Sequence, residues 1–147
     1  TILRLAEERD HLTVVADQYG APTSAALLAD VTAQVVRQKQ REGGDRFPFG
    51  LYHLVAGGET NWCDYARFIV SESMALDKRI KLAPDAIRPI PASEYPTAAK
   101  RPANSRLDTG KFRRAFNLEL PDWTIGVRHV LQQVLADGES QVASGKW

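Results

Sequence analysis

HLTVVADQYGAPTSAALLADVTAQVVRQKQ, residues 11–40, changes its periodicity twice. His11–Ala16 is short, apolar and β-branched, the pattern of a buried strand. Asp17-Gln-Tyr-Gly-Ala-Pro-Thr23 is a loop by its Asp, Gly and Pro. Thr23 or Ser24 can then cap a helix through about Gln40, with Leu27, Val31 and Val35 on one face. Strand, polar loop and helix in this order form the repeating unit of an α/β fold. A loop directly after a strand is also where open α/β sheets bind ligands. The plainer reading is a turn whose Asp and Thr cap local backbone.

Upstream, Ile2, Leu5 and Ala6 share a face in what reads as the last turns of a helix. No cap precedes them and there is no initiator Met, so the chain is expected to begin inside a larger protein. Downstream, Arg41–Arg46 is a charged, glycine-rich turn, and Gly50–Ala56 alternates like a second strand closed by Gly57-Gly58. Thr60 is the expected N-cap of a helix over Trp62–Leu76, with Tyr65, Ala66, Ile69 and Ser73 at helical spacing. Pro84, Pro89, Pro91, Pro96 and Pro102 break up residues 78–105. They leave room for a short edge strand at Ile87–Pro91 and a polar, basic loop over Thr97–Ser105. Asp108 caps a short helix with Phe112 and Phe116 at i, i+4. A last helix runs from Pro121 to about Ala136, and residues 137–147 are expected to fray. Two convincing strands make a poor sheet and would more naturally extend one formed elsewhere.

Composition narrows the function. With 147 residues, 44% hydrophobic and 25% charged, the chain is one ordinary domain by length. It needs neither disulfide nor metal to hold a core. Nineteen basic against 18 acidic residues give a net charge of +1 and no electrostatic footprint for nucleic acid. No apolar run approaches the roughly 20 residues of a membrane helix, and no secretion signal is present. The single cysteine, Cys63, excludes an internal disulfide framework and a cysteine zinc site; a cytoplasmic setting is the default.

The usual catalytic motifs are missing. There is no phosphate-binding glycine loop of the G-x-x-x-x-G-K or G-x-G-x-x-G type. None of Tyr19, Tyr52, Tyr65 and Tyr95 has Lys four residues on. His11, His53 and His129 form no metal-ligand pair. Cys63 reads as a small packing residue; a hydrolase built on it or on a Ser would lack a paired base. What remains is a binding constellation, Tyr95-Pro-Thr-Ala-Ala-Lys-Arg-Pro-Ala-Asn-Ser105, stiffened by proline. Arg101 could fork onto a diphosphate, and Asn104 or Ser105 could meet a sugar hydroxyl. A solvated basic loop is the competing reading.

The ordered series Asp17–Thr23, Leu28-Ala29-Asp30, Gly50–Leu54, Trp62 with Tyr65-Ala66, Tyr95-Pro-Thr97, Arg101-Pro102, Asn104-Ser105, Leu107, Lys111-Phe112, Phe116 and Leu120–Trp123 resembles the C-terminal half of the dTDP-4-dehydrorhamnose reductases. These are extended short-chain dehydrogenases, and the resemblance covers about residues 1–136. It implies an α/β chain, the C-terminal part of a Rossmann-like NAD(P)-binding fold, mostly helical and with an incomplete sheet. The whole of 1–147 would be substrate-binding, and the Rossmann cofactor domain would lie outside this chain. The family reduces the 4-keto group of a dTDP-sugar to give dTDP-L-rhamnose, with hydride from NADPH or NADH. The resemblance places no catalytic or cofactor-binding residue in this chain and assigns no ligand to Mg2+. It points to Arg101 at the diphosphate, Asn104 at a hydroxyl, and Gln18, Thr23 and Tyr95 around the substrate. The implied partners are the dTDP-sugar, the chain's own N-terminal Rossmann domain and, as an open option, a second copy; nucleic acid and membrane are not among them. The rival is a non-catalytic binding or regulatory module of the same fold.

Overall fold

The computed structural model describes residues 1–42, 47–95, 97, 99 and 101–143. Helix α1 (Ile2–Glu8) leads into strand β1 (Leu12–Val15), a short strand β2 (Tyr19–Gly20) and helix α2 (Ala25–Glu42). Strand β3 (Thr60–Asn61) runs straight into helix α3 (Trp62–Ala75). Strand β4 (Ile87–Ile90) lies between two 3-10 turns, Pro84–Ala86 and Ala92–Glu94. Helices α4 (Gly110–Phe116) and α5 (Trp123–Ala143) complete the chain. The expected glycine turn at 43–46 lies outside the described residues.

The strands form two pairs. β1 and β4 are parallel, with Leu12 opposite Ile87 and Val15 opposite Ile90. Parallel pairing this small is unusual, because parallel strands are normally buried in larger sheets. The two edges of the pair differ. Ala16 N–H donates to Ile90 O, which fixes the ladder so that Pro89 turns its missing N–H away from β1. On the same outer side the Arg67 guanidinium donates to Ile87 O at 2.8 Å. The Arg67 guanidinium therefore covers the outer edge of β4, whereas no strand among the described residues pairs with the far edge of β1, where Thr13 and Val15 present their backbone groups.

One core joins α1, β1, α3 and β4 through Ala6, Leu12, Ala66, Val70, Leu82 and Ile87, all buried, with Ile2 and Leu5 packed against it. Cys63 belongs to this core, and burial pushes its thiol pKa up, which suits packing and not nucleophilic attack. A second core joins α2 and α4 through Val31, Phe112 and Phe116. Tyr52 and Leu54 pack on it, with the Tyr52 ring 5.0 Å from that of Phe116.

Several sequence expectations are corrected. Gly50–Ala56 forms no strand among the described residues. Its alternation is real, since Leu51 and His53 are exposed while Tyr52 and Leu54 face the second core; that face meets helix α4 rather than a strand. Asn61, not Thr60, caps α3, accepting from Asp64 N–H while its own amide donates to the Asp64 carboxylate. Of the two expected caps of α2, Ser24 is the one that accepts Leu27 N–H. Thr109 takes the N-cap position of α4, and Asp108 only accepts Gly110 N–H. The α5 backbone runs to Ala143, past Ala136, and residues 144–147 of the expected tail lie outside the described residues. No described helix is long and apolar enough to cross a membrane.

Helices α3 and α5 are joined by a two-point bond from Arg128 to the Glu72 carboxylate, both contacts 2.7 Å. The hydrogen bonds from Arg128 hold the Glu72 carboxyl below its ordinary range. A depressed folded-state value means that the pair's contribution is complete above the unfolded glutamate pKa and fades as pH falls through the folded one. Glu72→Gln is therefore expected to lower the melting temperature at pH 7. The gap from the parent should close on acidification below about pH 4, read by thermal scans across pH. A gap that persists unchanged to low pH would refute the assignment.

Candidate functional site

A cleft of about 460 Å³ opens among the segments that link the two cores. Its floor is a three-segment rung. β2 pairs antiparallel with β3, Tyr19 opposite Asn61. On the other side of β2, Tyr19 N–H donates to Ala103 O and Ser105 N–H donates to Tyr19 O. Tyr19 thus bridges to Asn104 as well. Neighbouring strands lie about 4.8 Å apart, so the backbones of Asn61 and Asn104 stand about 10 Å from each other across Tyr19.

The loop carrying Arg101 is tied down by its neighbour Arg106. Arg106 Nε donates to Asn104 Oδ1 at 2.9 Å and Nη1 donates to Glu59 Oε2 at 2.8 Å, with the guanidinium 5.7 Å from the centre of the Tyr19 ring. Arg106 is consequently spent on structure. Arg101 differs: it is exposed, lines the cleft, and pairs with no carboxylate among the described residues. An unpaired, always-charged guanidinium beside a cleft is equipped to grip an anion.

Of the residues singled out from sequence, the structure brings Gln18, Thr23, Arg101 and Ser105, the alternative to Asn104, to the cleft. Thr23 is there for structural reasons, since its hydroxyl donates to Ala21 O and accepts Ala56 N–H, both at 3.1 Å. Asn104 is not among the lining residues; its Oδ1 accepts both Arg106 N–H and Nε–H, which makes it a fastener of the loop. Tyr95 is half exposed and also away from the lining; the turn before it is held by Asp17, which accepts Ala92 N–H. Lys100, the second cation of that loop, lies outside the described residues.

Sequence reading did not put Trp62 or Tyr65 in the site, yet both line it. They sit at i, i+3 on α3 and therefore on one helix face. Their rings meet edge to face at 6.0 Å, and Tyr65 is backed by Trp123 at 6.1 Å. Burial pushes the Tyr65 phenol pKa up, so it is a neutral hydroxyl at physiological pH. The cleft therefore offers a cation unpaired among the described residues and an aromatic wall, with Gln18 also in its lining. Among the described residues no group of three or more His, Cys, Asp or Glu is placed to hold a metal ion.

The sequence profile of the RmlD substrate binding domain matches residues 1–136. The chain is 50% identical over 134 residues to the dTDP-4-dehydrorhamnose reductase of Salmonella typhimurium, covering 91% of this chain and 43% of that protein. Among solved structures, a Clostridium acetobutylicum dTDP-4-dehydrorhamnose reductase matches with a TM-score of 0.75 and 25% identity, over 91% of this chain and 42% of that one. A Bacillus anthracis dTDP-4-dehydrorhamnose reductase, solved in complex with NADP, matches with a TM-score of 0.67 and 26% identity, over 87% of this chain and 40% of that one. This chain spans less than half the length of these relatives. With residues 1–136 carrying the profile, and a cleft lined from both halves of the chain, this protein belongs to the RmlD substrate binding domain family.

Proposed function

We propose that this chain is the sugar-nucleotide-binding portion of a dTDP-4-dehydrorhamnose reductase, an enzyme that reduces a 4-keto dTDP-sugar to dTDP-L-rhamnose with NADPH or NADH. The observation that carries the reading is Arg101, a guanidinium with no carboxylate partner among the described residues, on a cleft that also takes in Gln18. The family profile and the reductase relatives support it.

No residue here forms a glycine-rich pyrophosphate cradle, so the dinucleotide is assigned to the portion that precedes this chain in its relatives. When bound there it supplies a hydride for the ketone carbon. The share of this chain is orientation. Arg101 takes the diphosphate, remote from the reacting carbon, and that binding energy holds the sugar in place for the transfer. The cleft walls also shield part of the substrate from water. The partners proposed are the dTDP-sugar and the chain's own N-terminal domain.

In the full-length enzyme, Arg101→Ala is expected to weaken sugar-nucleotide binding by about 1.5–3 kcal/mol, the worth of a charged hydrogen bond. The loss should appear in KM and in direct binding by calorimetry. Unchanged KM and kcat would sink the proposal.

A further inference from the structure

Trp62 carries an observation that folding does not explain. It is the first residue of α3, 48% exposed, and it lines the cleft. Its only ring contact among the described residues is with Tyr65, edge to face, and no cation lies over it. Trp123 in turn holds Tyr65 from behind. The result is a large apolar plane, fixed in place and left open toward the ligand space.

We infer that the Trp62 indole is the stacking surface for the nucleobase of the bound nucleotide. This rests on the reading of the cleft as a sugar-nucleotide site. Span decides which ring of the ligand meets the indole. Trp62 directly follows Asn61, Arg101 lies just before Asn104, and those two asparagines stand on opposite outer strands of one rung, about 10 Å apart across Tyr19. A hexose bonded to the terminal phosphate lies directly against the diphosphate. The base is one methylene and one ribose further away from it. With the diphosphate on Arg101, the base is the ring that reaches across the rung. A half-exposed indole recovers hydration free energy when a flat ring covers it, and every base has such a face. Stacking reads the ring and not its substituents, so this contact contributes affinity and leaves the choice among pyrimidines to other groups.

The test measures binding of dTDP, UDP and inorganic pyrophosphate to the full-length protein by calorimetry. In the parent, dTDP is expected to bind more tightly than pyrophosphate. Trp62→Ala should weaken dTDP and UDP alike, by about 10- to 100-fold, the range for loss of one base–aromatic stack, and leave pyrophosphate unchanged. Trp62→Phe should restore most of the loss, which a misfolded protein would not do. Arg101→Ala should weaken all three probes. Equal weakening of dTDP and pyrophosphate in Trp62→Ala overturns the inference, because it marks a structural role. So does an unchanged dTDP affinity in that variant, which would leave the indole without a base to stack on. In each of these cases the Arg101 response still stands or falls by itself. Failure of dTDP and pyrophosphate to bind the parent at all would instead remove the sugar-nucleotide reading and this inference with it.

Discussion

Trp123→Ala is expected to destabilise the protein by about 3–5 kcal/mol, the range for truncating a buried Trp or Phe. Trp123 is 8% exposed at the start of α5. Its ring meets Phe68 at 4.9 Å and Tyr65 at 6.1 Å, so it fastens α5 to α3. Its backbone N–H also donates to Gly57 O. Truncation leaves a cavity between two helices that cannot easily collapse, because the Arg128–Glu72 bond holds their spacing. Urea unfolding of the full-length protein should show a lower midpoint at unchanged slope. Trp123→Phe should recover more than half of the loss. Folded Trp123→Ala should also bind dTDP more weakly, since Tyr65 loses its backing and the wall of the cleft loosens. A loss below about 1 kcal/mol would show that the helix pair does not depend on this ring.

The second large effect is expected at Gly58. Its φ of +76° is in the left-handed region, where a non-glycine residue carries strain of about 1–3 kcal/mol. A Cβ there would run into the Asp122 carboxylate and come within 3.1 Å of Trp123 Cδ1. Asp122 cannot simply retreat, because its Oδ1 accepts both Thr124 N–H and the Thr124 hydroxyl at the first turn of α5. Displacing it adds the loss of a helix-terminal bond, about 1 kcal/mol. Gly58→Ala should therefore fall well below the parent in stability. Gly110→Ala is the matched control, because its Cβ would meet only the ends of the Arg114 and Asp108 side chains, both at 3.0 Å. It should stay within about 1 kcal/mol of the parent. Equal behaviour of the two variants would refute the close-approach argument.

These two positions show what could be read from sequence and what could not. Gly57-Gly58 is legible as a turn. Its cause is not, because a Cβ on Gly57 would stand 2.9 Å from Leu120 O, a backbone far along the chain. Helices α2, α3 and α5 follow from hydrophobic spacing, which is local. Strand β1 follows from β-branched residues, and β4 from the isoleucines that flank Pro89 in an edge position. The alternation at Gly50–Ala56 reports a two-sided segment correctly, but alternation carries no information about what lies beside it. The same division holds for the site. Arg101 and Gln18 could be found because a charge in a proline-stiffened loop and a polar residue after a strand are local signals. Thr23 and Asn104 were chosen on residue type, and their oxygens turn out to be occupied by backbone and by Arg106. The Trp62–Tyr65 pair had a signal in its i, i+3 spacing at a helix start. Only the antiparallel pairing of β2 with β3 brings it opposite Arg101.

The floor of the cleft also dictates when it can exist. Tyr19 has to receive Ser105 N–H, and Asp17 has to reach Ala92, 75 residues away. Closing loops of that length is slow compared with forming a helix. During synthesis α1, β1, α2 and α3 are all complete while the open side of Tyr19 still faces water. The floor of the cleft is therefore absent from the nascent chain until Ser105 has left the ribosome. Strand β1 likewise waits for Ile87–Ile90 to emerge, and in that interval the edge that β4 will cover is unpaired and open to other molecules.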